Sequence, residues 1–182
     1  TVNQEYEKVQ FKLSAGTDET WTASGLPKGM TLSKAGQLSG TPTGNPKTYS
    51  IKLKATNSGG KAELIVPLNV LMKPELTTKK LTAGTDGKSY SAKLTAKGST
   101  PISWDIVGLP DGMNFTTEKN GISATIKGTS SAGKYNVVIN MKNSSGSSPS
   151  YSMSLDVKGA APKITTSLPK SGNAGSKYKG DI

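Results

Sequence analysis

Gly25-Leu26-Pro27-Lys28-Gly29-Met30-Thr31-Leu32 recurs 83 residues later as Gly108-Leu109-Pro110-Asp111-Gly112-Met113-Asn114-Phe115. Proline restricts φ to the value wanted at the second position of a tight turn, and the following glycine can take φ > 0 without steric cost. The Leu before the turn and the Met after it are apolar flanks that can return to one core. The stretch therefore predicts a structural corner, written twice, with a binding loop built on that turn as the competing reading.

Working outward, other anchors fall into register. Tyr6 matches Tyr90 at an offset of 84, and Trp21 matches Trp104 at 83. Gly40-Thr41 matches Gly128-Thr129 at 88, while Tyr49 with Tyr135 and Asn57-Ser58 with Asn143-Ser144 match at 86. Drift of a few residues between anchors is what loops of different length produce in a tandem repeat.

Between anchors the chain alternates with period two, the signature of a half-buried strand. Val9, Phe11 and Leu13 share one parity, as do Tyr90, Ala92 and Leu94 in the second copy. Ile51, Leu53 and Ala55 alternate with Lys52 and Lys54, and Val137, Ile139 and Met141 with Val138 and Asn140. Leu64, Val66, Leu68 and Val70 continue the pattern before Pro74, as Tyr151, Met153, Leu155 and Val157 do before Pro162. Asn57-Ser58-Gly59-Gly60 and Asn143-Ser144-Ser145-Gly146 read as hairpin tips. About seven short strands per copy predict an all-β fold of tandem immunoglobulin-like β-sandwich domains, with Trp21 and Trp104 filling the inter-sheet core. The alternative for the tryptophans is a sugar-stacking platform.

The domains expected are 1–73, lacking its first strand; 74–161; and 162–182, the opening strand of a third repeat. Pro162, Ile164, Thr165, Thr166, Gly172, Tyr178 and Ile182 each match a residue of the second copy at an offset of 88, beginning with Pro74 and Leu76. Thr1 aligns with Thr85, so the first copy has no counterpart of Pro74 to Gly84. An exposed edge in one place and a spare strand in another predict head-to-tail self-association through residues 162–182.

Composition removes whole classes of chemistry. The 182 residues contain no Cys and no His, which excludes disulfides, Cys-His and Ser-His-Asp catalysis and nearly every zinc site. The remaining Lys, Asp, Glu, Ser and Tyr form no spaced acid-base pair, and Asp105 and Asp111, which flank the second corner, are replaced by Thr22 and Lys28 at the first. No catalytic, cofactor-binding or metal-binding residue is identified, and binding residues are left unassigned. The net charge is +11, yet every one of the 23 basic residues is Lys. Without Arg, and without clusters interleaved with aromatics, nucleic acid is not the expected partner. No apolar run approaches the roughly 20 residues of a membrane helix, so membrane insertion is not expected, and no signal peptide is visible at Thr1.

The run from Gly25 to Ser33, followed by Gly36-Gln37-Leu38-Ser39-Gly40-Thr41-Pro42-Thr43, Tyr49-Ser50-Ile51 and Ala55-Thr56-Asn57-Ser58, resembles the putative-Ig, dystroglycan-type cadherin-like repeats of bacterial surface proteins. The second copy departs from that form at Gly121-Ile122-Ser123-Ala124-Thr125-Ile126-Lys127-Gly128-Thr129. The resemblance implies extracellular modules in stalks, adhesins or envelope proteins at the bacterial cell surface. Their partners would be neighbouring repeats of the same protein, and a glycan or host-protein ligand held by end loops is the alternative. Cadherin relatives often bind calcium between modules, but Lys73-Pro74-Glu75 offers no acidic pair to supply six or more oxygens. The strand lysines Lys12, Lys52, Lys54 and Lys93 have outward parity, which predicts no Lys-Asn isopeptide crosslink. Two sequons, at Asn114 and Asn143, are read as chance.

Overall fold

The computed structural model describes residues 1–14, 18–165 and 174–175. It is all-β. The first repeat holds β1 (Val9–Gln10), β2 (Thr20–Ser24), β3 (Met30–Leu32), β4 (Gln37–Gly40), β5 (Lys47–Asn57) and β6 (Gly60–Val70). The second holds β7 (Glu75–Leu76), β8 (Gly84–Thr85), β9 (Tyr90–Lys97), β10 (Ser103–Val107), β11 (Met113–Thr117), β12 (Ser123–Gly128), β13 (Gly133–Asn143), β14 (Gly146–Ser147) and β15 (Tyr151–Lys158).

Each repeat faces two sheets across one core. The first sets β1-β4-β3 against β2-β5-β6; the second sets β11-β12-β9-β7 against β10-β13-β15-β8, with β14 paired to β13. None of these sheets takes strands from both sides of Pro74. Ile51, Leu53 and Ala55 are buried between the sheets of the first repeat, as are Val137, Ile139 and Met141 in the second, so the period-two pattern places the apolar parity inward. Trp21 is buried in the first core, and Trp104 packs half-buried against the second.

Two sequence expectations change. Met30 N–H donates to the Pro27 carbonyl and Met113 N–H to that of Pro110, each at 3.1 Å, so proline opens the turn and glycine, not proline, carries its demanding position. Gly29 and Gly112 sit third in the turn at φ +84° and +81°, where a side chain would be strained. Secondly, Leu64 is 61% exposed despite its inward parity, and its neighbours Val66 and Leu68 are only half-buried. In the second repeat the same positions are Tyr151, Met153 and Leu155, covered by an opening segment that carries buried Leu76 and Leu81. Among the described residues nothing equivalent lies over β6.

Strand β1 is also shorter than expected. Tyr6 N–H bonds the Gly40 carbonyl, but Val9 pairs with Leu38, a register one residue longer than the continuous ladder of Tyr90 with Gly128 and Ala92 with Ile126. The extra residue falls at Glu7-Lys8 and interrupts pairing. Of the segment 162–182, residues 166–173 and 176–182 lie outside the described residues.

Candidate functional site

The corners are fixed by backbone, not by a ligand. A Cβ on Gly25 would stand 2.4 Å from the Ser50 carbonyl oxygen, and one on Gly108 would stand 2.2 Å from that of Asn136. Gly29 and Gly112 meet the carbonyl oxygens of Thr41 and Thr129 at 2.1 and 2.4 Å in the same sense. Pro27 and Pro110 are buried beneath the turn, while the exposed tip residues are unrelated, Lys28 in one and Asp111 in the other. Such an arrangement holds two strands in close approach and presents no common chemistry outward.

Aromatic groups are similarly committed. No described Trp, Tyr or Phe is exposed. The hydroxyls of Tyr49 and Tyr135 donate to the carbonyls of Asn45 and Ser131 at 3.1 and 3.0 Å, and Tyr90 donates to Thr82 at 2.9 Å. The indole N–H of Trp104 donates to the Gly121 carbonyl at 2.6 Å, whereas that of Trp21 is buried without a partner among the described residues. Beside Trp104 a depression of about 360 Å³ carries Asp105, Asn140 and Ser150. Those three already bond one another, Ser150 to Asn140 at 2.6 Å and Asn140 to Asp105 at 3.2 Å.

The most built-up region is the joint between the repeats. Val2 N–H donates to the Leu71 carbonyl at 2.6 Å, so Leu71 belongs to the first repeat. Met72, the next residue, belongs to the second: its N–H donates to Ser99 Oγ at 3.0 Å and its carbonyl accepts from Ser99 N–H at 3.0 Å. Asn143 Nδ2 then donates to both the Met72 and Ser99 carbonyls at 2.7 Å, while Asn143 Oδ1 accepts from Ser145 N–H at 2.9 Å. Asn143 therefore has its amide nitrogen already engaged, although it heads a sequon. A cleft of about 390 Å³ opens at this joint, lined by Val2, Gln4, Met72, Glu75, Pro149 and Tyr151.

Charge is dispersed along the strands. Ion pairs join Lys52 to Glu63 at 2.7 Å, Lys93 to Glu118 at 2.9 Å and Lys97 to Glu75 at 3.0 Å, all half-exposed. The Lys52 ammonium holds the Glu63 carboxyl below its ordinary value, and the Ser123 hydroxyl with Lys93 does the same for Glu118. Among the described residues no three Asp or Glu side chains gather as a metal site, and no helix is long and apolar enough to cross a membrane.

Two facing sheets per repeat, twice over, with a corner at the same place in each, define a pair of tandem immunoglobulin-like sandwiches. The sequence matches the family described as "Putative Ig domain" over residues 1–70 and 73–158. The chain belongs to that family. No curated protein matches it. Among solved structures, the I-band fragment I67–I69 from titin is 16% identical with a TM-score of 0.56, covering 87% of this chain and 61% of that one. An E-to-A variant of the same titin domains aligns at 16% identity and a TM-score of 0.53, with the same coverage. The endo-fucoidan hydrolase MfFcnA4 of glycoside hydrolase family 107 is 21% identical with a TM-score of 0.44; the match covers 88% of this chain but only 27% of the hydrolase.

Proposed function

We propose that this chain acts by contact and without catalysis, as a structural or adhesive run of Ig-like repeats in a bacterial cell-surface or secreted protein. Its first partners are neighbouring repeats of the same protein. The observation that carries this reading is that no described aromatic side chain is exposed and that Tyr49, Tyr90, Tyr135 and Trp104 spend their polar groups on backbone carbonyls, which leaves few of the open stacking platforms that glycan and protein ligands favour. The scattered, partly ion-paired lysines suit an anionic cell envelope better than the continuous basic track a nucleic acid needs. A carbohydrate- or host-protein-binding adhesin is the second reading, favoured by the joint cleft, whose lining includes Tyr151, Gln4 and Glu75.

Screening the purified chain against glycans and extracellular host proteins separates the two. The spacer reading expects no saturable binding; a ligand whose affinity falls on Tyr151→Ala replaces it with the adhesin. Self-association is part of the same proposal. Ile164, which occupies the register of Leu76, is 91% exposed where Leu76 is 3% exposed, and strand β6 of the first repeat has half-buried apolar positions that such a residue would cover. Residues 162–182 are thus assigned to the first repeat of a neighbouring molecule. Deleting Pro162–Ile182 should lower the sedimentation coefficient at high concentration, and equal values for both chains would refute the docking.

A further inference from the structure

The chain passes from one sandwich to the next without a free residue: Leu71 is bonded by the first repeat and Met72 by the second. We infer that the Asn143 hairpin tip is an inter-repeat latch, whose carboxamide clasps the exit of the first repeat and sets the orientation of the pair. The partner this surface fits is the linker backbone that leaves a preceding Ig repeat just after its last strand, here the carbonyl and N–H groups of Met72 two residues beyond Val70.

Three features converge on Met72-Lys73-Pro74. The first is the double donation of Asn143 Nδ2, which ties the Met72 carbonyl to the Ser99 carbonyl and uses both amide hydrogens. The second is Ser99, which pairs with both backbone groups of Met72. The third is Gly98 at φ +147°, whose missing Cβ would stand 3.1 Å from the Lys73 oxygen and from Pro74 Cα, so the linker lies against bare backbone there. Pro74 is fully buried in the second repeat and cannot pivot freely in solvent. Thr1 Oγ1 completes the contact from the first repeat, 3.1 Å from Ser145 Oγ on the same tip.

Only an amide serves at position 143. Its oxygen must accept from Ser145 N–H to form the tip, and its nitrogen must donate twice. A carboxylate of the same shape keeps the first bond and sets negative oxygen against two carbonyls. Asn57 forms the same tip in the first repeat, accepting from Gly59 N–H at 2.9 Å, and supplies the control.

The absence of native cysteine allows spin labels at Lys28→Cys and Lys119→Cys, exposed positions in separate repeats. The wild-type latch gives one narrow inter-label distance distribution. Asn143→Asp broadens it while near-ultraviolet circular dichroism stays native, and exchange of the Met72 amide speeds by roughly tenfold or more; Asn57→Asp changes neither. If Asn143→Asp does not fold, Ser99→Ala makes the same test through the Met72 N–H bond, and is expected to broaden the distribution. An unchanged distribution in the folded latch variant overturns the inference. So does equal broadening by Asn57→Asp.

Discussion

The two repeats share corners, strand order and tip geometry, yet they differ in how well each closes its core. In the second, Leu76 and Leu81 from the opening segment join Met153, Leu155 and Val157 in one buried cluster, and Leu155 is fully buried. In the first, the equivalent strand leaves Leu64 in solvent and Val66 and Leu68 half-covered. The hairpin that follows the corner differs as well. Between Met and the Gly-Thr pair the offset grows from 83 to 88, because the hairpin of β11 and β12 is built from longer strands than that of β3 and β4; the Gly121 carbonyl at its tip receives the Trp104 indole. The shorter first hairpin brings Gly36 against the Trp21 ring, where a Cβ would be 2.9 Å away, and the Gly36 carbonyl is taken by Phe11 N–H. The same fold thus gives one indole a carbonyl partner and leaves the other without one among the described residues, and the length of one hairpin makes the difference.

The largest expected effect tests core closure. Leu155→Ala should cost about 4 kcal/mol of the second repeat's stability, because a fully buried side chain leaves a cavity, whereas Leu68→Ala should cost the first about 2 kcal/mol or less. Urea unfolding followed by Trp104 and Trp21 fluorescence, one reporter per repeat, measures both. Equal losses would mean that the first core is as closed as the second.

The corner should behave identically in both. Gly112→Ala and Gly29→Ala each place a side chain at positive φ against a carbonyl oxygen, and each should cost about 3 kcal/mol. A large loss in only one repeat would break the equivalence of the corners.

The smallest effect is electrostatic. Glu63 is held below its ordinary value of 4.5 by Lys52, so its contribution is present above the unfolded value and disappears as pH falls through the lowered folded one. Glu118 behaves alike in the second repeat, through Ser123 and Lys93. The melting temperature should therefore drop on acidification below about pH 4.5. Glu63→Gln should flatten the drop for the first repeat alone, and an unaltered acid limb would remove the Lys52 pair from the stability of that sheet.

Much of this architecture was legible in the sequence because the deciding residues act locally. Gly29 and Gly112 announce a turn by chemistry alone, and the alternation of Ile51-Leu53-Ala55 with lysines states which face is buried. Parity failed at Leu64, since period two tells which way a side chain points and not whether anything covers it. The turn was placed one residue off, because proline tolerates both its first and second positions. The latch was invisible for a different reason: Asn143-Ser144 is sufficient as a hairpin tip, and its second task depends on Met72 and Ser99, 71 and 44 residues away. An engaged carboxamide leaves no pattern in the chain that carries it.

The passage from Leu71 to Met72 has a consequence for any series of repeats joined in this manner. A linker without slack turns every junction into one fixed rotation and translation, so the series is a screw with its pitch written in hydrogen bonds. Inserting a single residue between Leu71 and Met72 would add up to about 3.5 Å of loose chain. Such an insertion would shift the phase of everything beyond it while leaving each sandwich intact.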